Sequence, residues 1–254
     1  MTPRPWILAE TDWASARRTP YDVAVLPWGA TEPHNRHLPY ATDVYETDAI
    51  AAEAARIAWD RGARPLVLPA IPFGANEQQM DLLGAINLHP STQASVLADV
   101  VESLEGQGFD KVVVLNGHGG NDFRQMIREL QSRVTPFLST VSWFRIPDST
   151  EMFVEPGDHA GEAETSLMLH LRPDLVRPLK EAGPGAARSW RLKAIDEGWA
   201  WAPRHWSAVT DDTGAGDPGA ATAGKGHAYL ERLAEKIAAY LVELATADLD
   251  DLYC

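Results

Sequence analysis

Apolar residues run in short, nearly unbroken blocks at 22–27, 64–71, 111–115 and 137–144, rich in Val, Leu and Ile and without strict alternation. A half-exposed strand alternates apolar and polar side chains, whereas a strand covered on both faces reads as a continuous apolar block. The four blocks therefore predict buried, parallel strands. Between them the apolar spacing changes to three- and four-residue steps, which predicts helices over 48–61, 91–106 (opening at a Ser/Thr cap) and 122–133 (following a glycine turn). A further helix is expected over 162–171. The stretch 229–247 reads as a long amphipathic closing helix with a structural role. Alternating strand and helix point to the α/β class, as a layered αβα sandwich on a mostly parallel central sheet. No linker, fixed-period repeat or low-complexity tract divides the chain, so one domain is expected over 1–254.

Charge narrows the function. The 36 acidic against 22 basic side chains give a formal net charge of −14, with no basic stripe to offset it. Such a surface repels a phosphate backbone, so nucleic acid is not an expected partner. The N-terminal stretch lacks the apolar core of a signal peptide and no 18 apolar residues run together, so a cytoplasmic protein without a membrane partner is expected. The single cysteine, Cys254, is the last residue. That leaves no intrachain disulfide and no thiolate zinc site, and any metal has to sit on His, Asp and Glu.

Three turns are rich in such groups. Glu32 and His34 follow the first apolar block, two residues apart in an extended segment stiffened by Pro33, so their side chains leave on one side. Asp43 closes the same loop before a helix, where it is either a bridging carboxylate or a routine cap. His118 lies in Asn116-Gly-His-Gly-Gly-Asn121 at the end of the third block. Glycines there let the backbone approach a ligand closely, which favours a functional histidine over a surface one. Ligands of open parallel sheets gather outside the carboxyl ends of the strands, where both turns fall. The third cluster is Asp158-His-Ala-Gly-Glu-Ala-Glu. Glu162 and Glu164 stand two apart at a helix start and face different ways, so one is a direct ligand and the other supports it or is solvated.

Imidazole and carboxylate ligation without sulfur suits Zn²⁺ and Mn²⁺, and several carboxylates can hold two such ions about 3.5–4 Å apart. The chemistry expected is attack of activated water on a polarised carbonyl, with a nearby His or Glu passing a proton to the leaving nitrogen. His159 is the candidate donor. Two other signals need weighing. Four of the nine tryptophans fall in 190–206, as a pocket roof or as core and interface packing, the second being favoured; Trp28 is expected to pack under the site. Gly219-Ala-Ala-Thr-Ala-Gly-Lys225-Gly comes near a phosphate-binding loop, but Gly226 replaces the Ser/Thr that would hold Mg²⁺ and no buried strand precedes it. It reads as a loop leading into a helix, with nucleotide binding the rival function.

Taken together these motifs resemble the creatininase (creatinine amidohydrolase) family. The matching segments are Trp28-Gly-Ala-Thr-Glu-Pro-His with His37-Leu-Pro and Thr42-Asp43; Asn116-Gly-His-Gly-Gly-Asn; His159-Ala-Gly-Glu-Ala-Glu-Thr-Ser-Leu-Met-Leu; and Gly216-Asp-Pro with Ala220-Ala-Thr-Ala. The resemblance implies an αβα sandwich, two divalent ions per subunit (Zn²⁺, Mn²⁺ or both), hydrolysis of a C–N bond in a small, cyclic or formyl, amide, and a homohexamer. It carries metal roles onto Glu32, His34, Asp43 and His118, with Asp43 bridging, and a catalytic role onto His159. In creatininase itself a glutamate follows the motif histidine by two residues; here that place is Gly120. By comparison with members that share Gly-Gly there, the fifth ligand is assigned to Glu162, which joins His159 in the catalytic set. The segment 73–88, expected to line the pocket, departs from creatininase and argues against creatinine as substrate. A lactone or a cyclic sugar-derived ketone is the alternative substrate class.

Overall fold

The computed structural model describes residues 3–147 and 150–254. Its sheet holds four strands, β1 (Val23–Trp28), β2 (Pro65–Val67), β3 (Lys111–Asn116) and β4 (Phe137–Ser142), in the order β2-β1-β3-β4. All neighbouring pairs are parallel; Ala24 faces Val112, and Trp28 faces Asn116 at the carboxyl ends of the two central strands. The expected second strand is cut to three residues, and only an isolated bridge from Trp28 to Ile71 continues it. Pro69 and Pro72 lack the N–H that a ladder needs.

Five longer helices cover the sheet: α1 (Thr42–Asp60), α2 (Pro90–Glu105), α3 (Phe123–Leu130), α4 (Glu162–Leu171) and α5 (Ala223–Thr246). Side chains alternate across each strand, so Val23, Val25, Val113 and Leu115 pack with α1, α4 and α5, through Ile50, Leu167 and Leu233 among others. Ala24, Leu26, Val112 and Val114 point to the other face, against Leu97 and Val101 of α2 and Phe123 and Leu130 of α3. Two apolar cores on opposite sides of a parallel sheet make the expected αβα sandwich.

Local chemistry sets the helix limits. Pro90 occupies the first turn of α2, where its missing N–H costs nothing. The Thr222 side chain caps α5 at the Lys225 amide, 3.2 Å away, so this helix begins six residues before the expected 229. Lys225 Nζ donates to the Glu162 carboxylate and to the Ala220 carbonyl, so the one lysine of the phosphate-loop-like stretch is already engaged. The early start of α1 matters more. It begins at Thr42 rather than 48, which places Asp43 in its first turn, and the N-cap is Ala41 with no side-chain capping bond. Gly29 makes this possible: a Cβ there would lie 2.9 Å from backbone atoms of Asp43 and Val44. The helix start therefore sits directly on the exit of β1.

No helix among the described residues is long and apolar enough to cross a membrane.

Candidate metal centre

The connections after β1 run one way, to β2, and then back across to β3, so the chain reverses direction between β1 and β3. Loops part at such a point and leave a crevice at the strand carboxyl ends. Glu32 and His34 leave β1 there, His118 leaves β3, and Asp43 is brought in by α1. Glu32, Asp43 and His118 open on a cavity of about 430 Å³ that is also lined by His159, Glu164 and Trp206, with His34 buried behind them.

Two triads of ligand atoms at its inner end share one residue. Glu32, Asp43 and His118 form the first; His34, Asp43 and Glu164 form the second; a third grouping joins Glu32 and His34 to His159. His34 Nε2 is 2.8 Å from Asp43 Oδ1, and His118 Nδ1 is 2.8 Å from Glu32 Oε1 and 3.1 Å from Asp43 Oδ2. His159 Nδ1 stands further off, 3.8 Å from Glu32 Oε1.

Each imidazole is oriented from behind. His34 Nδ1 lies 3.0 Å from the Glu32 carbonyl, His118 Nε2 2.9 Å from that of Ala75, and His159 Nε2 2.9 Å from that of Pro33. A carbonyl only accepts, so these nitrogens carry the ring hydrogen. The opposite nitrogens of the neutral rings are then lone pairs facing carboxylate oxygens, which are also acceptors. A positive charge has to sit between them. His34 Nε2 and Asp43 Oδ2 are buried without a hydrogen bond of good geometry, so the donor set is unsatisfied as it stands and fits divalent cations bound by N and O.

The proton equilibria state the same need. Burial alone would lower the His34 pKa, but the charge of Asp43 overturns this and raises it to about 10. His118 is likewise raised by Glu32 and Asp43 against the effect of burial. Burial would raise Glu32 and Asp43, yet their histidine partners hold both below the usual carboxylate range. Glu46, one turn beyond Asp43, is fully buried with neither carboxylate oxygen hydrogen-bonded; burial and the nearby Glu164 and Asp43 push its pKa well up.

Glu162, the expected fifth ligand, lies outside the cluster: its Oε2 accepts the amides of Val154 and Glu155 at 2.9 and 3.1 Å, and its Oε1 is paired with Lys225. Glu164 stands in the cluster, with one oxygen also held by the Ala160 amide. The departure at Gly120 has a steric cause. A Cβ there would come within 2.2 Å of the Ala75 carbonyl and 2.5 Å of His118 Nε2, so no larger residue fits while His118 keeps its tether.

Sequence reasoning missed Gln79, whose Nε2 donates to Glu32 Oε2 from a fully buried position. It falls in the segment 73–88 expected at the pocket, but nothing in its spacing marks it. The tryptophan segment divides: Trp206 is buried edge-on to His159 with ring centroids 5.3 Å apart, while Trp199 and Trp201 are exposed. Trp28 packs beneath the site as expected, 4.9 Å from Phe123 and with Nε1 donating to the Phe73 carbonyl at 2.9 Å.

A putative creatinine amidohydrolase from Bacteroides fragilis NCTC 9343 is 44% identical, superposes with a TM-score of 0.90, and is aligned over 96% of this chain and 97% of its own. A mycofactocin precursor peptide peptidase of Mycobacterium ulcerans is 28% identical over 230 residues, covering 87% of this chain and 85% of that protein. The creatinine amidohydrolase of Pseudomonas putida is 30% identical over 61% of this chain and 66% of its own length. More distant creatininases share the fold: one solved with Mn has 23% identity, a TM-score of 0.75 and coverage of 96% of this chain and all of its own, and a variant is described as Zn-Zn type. The family model for creatinine amidohydrolase matches residues 9–241, and the chain belongs to the creatininase family.

Proposed function

We propose that the chain is a two-metal hydrolase that cleaves a C–N bond of a small, cyclic or formyl, amide. The observation that carries this reading is the pair of ligand triads sharing Asp43. Glu32, Asp43 and His118 would hold one Zn²⁺ or Mn²⁺; His34, Asp43 and Glu164 would hold the other. Bound ions of this kind lower the pKa of water and polarise a carbonyl oxygen.

The remaining chemistry belongs to the chain. Gln79 fixes one oxygen of Glu32 and leaves the other for the centre. His159 keeps its hydrogen on Nε2 through Pro33, so Nδ1, facing the cavity, is the atom that can take a proton and release it to a leaving nitrogen. Trp206 stands edge-on to that ring and restricts its rotation. The 3.8 Å from His159 Nδ1 to Glu32, against 2.8 Å for His118, favours a proton carrier over a further ligand. A single domain over 1–254, a cytoplasmic address and a homohexamer complete the reading; the last rests on the resemblance alone.

The test is a screen of lactams, cyclic ureas, formamides and lactones with metal-reconstituted protein. Turnover of amides, abolished by chelation, is expected. Hydrolysis of lactones alone would replace the amide by the non-amide carbonyl class.

A further inference from the structure

We propose that a second cavity beside the metal centre seats an anionic group of the substrate, so that the enzyme acts on small amides carrying a carboxylate or a phosphate. This rests on the hydrolase reading above and names the substrate class for the same site.

The second cavity has a volume of about 470 Å³. It shares Gln78, Gly119, Gly120, Arg145 and Arg204 with the wall of the metal cavity, so the two are neighbours across a partition built partly of glycine. Its basic residues are Arg124, Arg145 and Arg204.

Many arginines of this chain, of net charge −14, are paired with acids. Arg4, Arg56, Arg61, Arg172, Arg177 and Arg188 all are. Arg204 is too, 2.6 Å from Asp158 and stacked 4.5 Å from the Trp206 ring centre. Among the described residues, the guanidinium groups of Arg124 and Arg145 form no ion pair; Arg145 lies 5.8 Å from the centre of the Phe144 ring. Each acid of this cavity has one oxygen engaged. The Asp122 carboxylate accepts the Arg124 amide at 3.2 Å, and Glu77 lies 3.1 Å from His89 Nδ1.

Among the described residues the cavity thus presents two guanidinium forks without an ion pair, while each of its carboxylates already has one oxygen engaged. Planar N–H forks match the oxygens of carboxylate and phosphate. Arg145 faces both cavities, so an anion held there lets the rest of a small molecule reach over Gly119 and Gly120 to the metal ligands. An amide with its charged group a few bonds from the scissile carbonyl fits this span.

Metal-loaded protein is assayed with charge-matched pairs: N-formylglycine against N-formylglycinamide, and N-formyl-2-aminoethyl phosphate against N-formylethanolamine. The charged member of at least one pair is expected to be favoured in kcat/KM by roughly tenfold or more, the usual value of a charged hydrogen bond. The pair showing the larger preference identifies carboxylate or phosphate as the natural group. Arg145→Gln should bring the ratio towards one through KM, and Arg145→Lys should retain part of it. Equal rates for charged and neutral members in the wild type, or a preference unmoved by Arg145→Gln, overturns the proposal.

Should no amide of either kind be turned over, the hydrolase reading fails separately and calorimetry decides the subsite. Binding of acetate or inorganic phosphate to the metal-loaded wild type that weakens at least tenfold in Arg145→Gln supports it. Equal binding to both proteins, or none to the wild type, overturns it.

Discussion

Nε2 of His34 and Oδ1 of Asp43 are 2.8 Å apart, both side chains are buried, and the two belong to different elements: a loop leaving β1 and the first turn of α1. Asp43 also reaches His118 with its other oxygen, so both triads depend on it. Asp43→Asn keeps the shape and removes the charge. Metal content should fall from about two ions per chain to one or fewer, with kcat/KM reduced on the order of 10³-fold or more. Elemental analysis of the purified variant checks the first and steady-state kinetics the second; two ions retained would remove Asp43 from the bridging role.

Glu162 and Glu164 should separate cleanly. Glu164→Gln is expected to lose metal and activity while unfolding near the wild-type urea concentration. Glu162→Gln should keep its metal but lose roughly 1–3 kcal/mol of stability, because Lys225 and two backbone amides lose a charged partner. Metal stoichiometry and urea titrations on both variants decide it, and the reverse pattern would restore Glu162 as the ligand.

Gly120 tests the steric explanation for the missing glutamate. Gly120→Ala should displace the Ala75 carbonyl or break its bond to His118, costing about 2 kcal/mol or more and lowering metal affinity. Combining Glu164→Gln with Gly120→Glu should rescue neither metal nor turnover. Recovery of two ions in that double variant would show that the site has room after all.

His159→Ala should retain its metal and lose about 10²- to 10⁴-fold in kcat, the usual value of a positioned proton carrier. The kcat–pH profile should lose one limb in the variant. Loss of a metal ion instead would make His159 a ligand.

His37 contributes an acid limb to stability in the metal-free protein. Burial, reinforced by the charge on His34, lowers its pKa to about 4, while the unfolded residue titrates near 6.5. Between those values the unfolded chain binds the proton and the folded one does not, so stability is full above pH 6.5 and falls as the pH drops towards 4. His37→Gln should remove a pH-dependent loss on the order of 1–3 kcal/mol. Urea unfolding in chelator at pH 7 and pH 4.5 compares the two proteins; parallel losses would exclude His37 as the source.

Much of this was legible before folding. Continuous apolar blocks such as Val112–Leu115, within the expected 111–115, announce strands covered on both sides, because burial on two faces leaves no polar position to alternate with. Ligand types placed just after two such blocks, at Glu32, His34 and His118, announce where a parallel sheet collects its site. These readings need only local pattern and one rule of topology, and the sheet order agrees with them.

What the pattern left open was settled by packing at long range. Whether Glu162 or Glu164 turns into the cavity depends on where α4 docks against α1 and α5, and Lys225, 63 positions away in the chain, captures the first of them. Asp43 meets His34 and His118 because Gly29 admits the start of α1 to the end of β1. Gln79 joins the site only because the fold brings its amide to Glu32, 47 residues away. Residue types and strand ends are properties of the chain; which side chain faces a shared cavity is a property of rigid elements meeting in space, and short-range spacing carries no record of it.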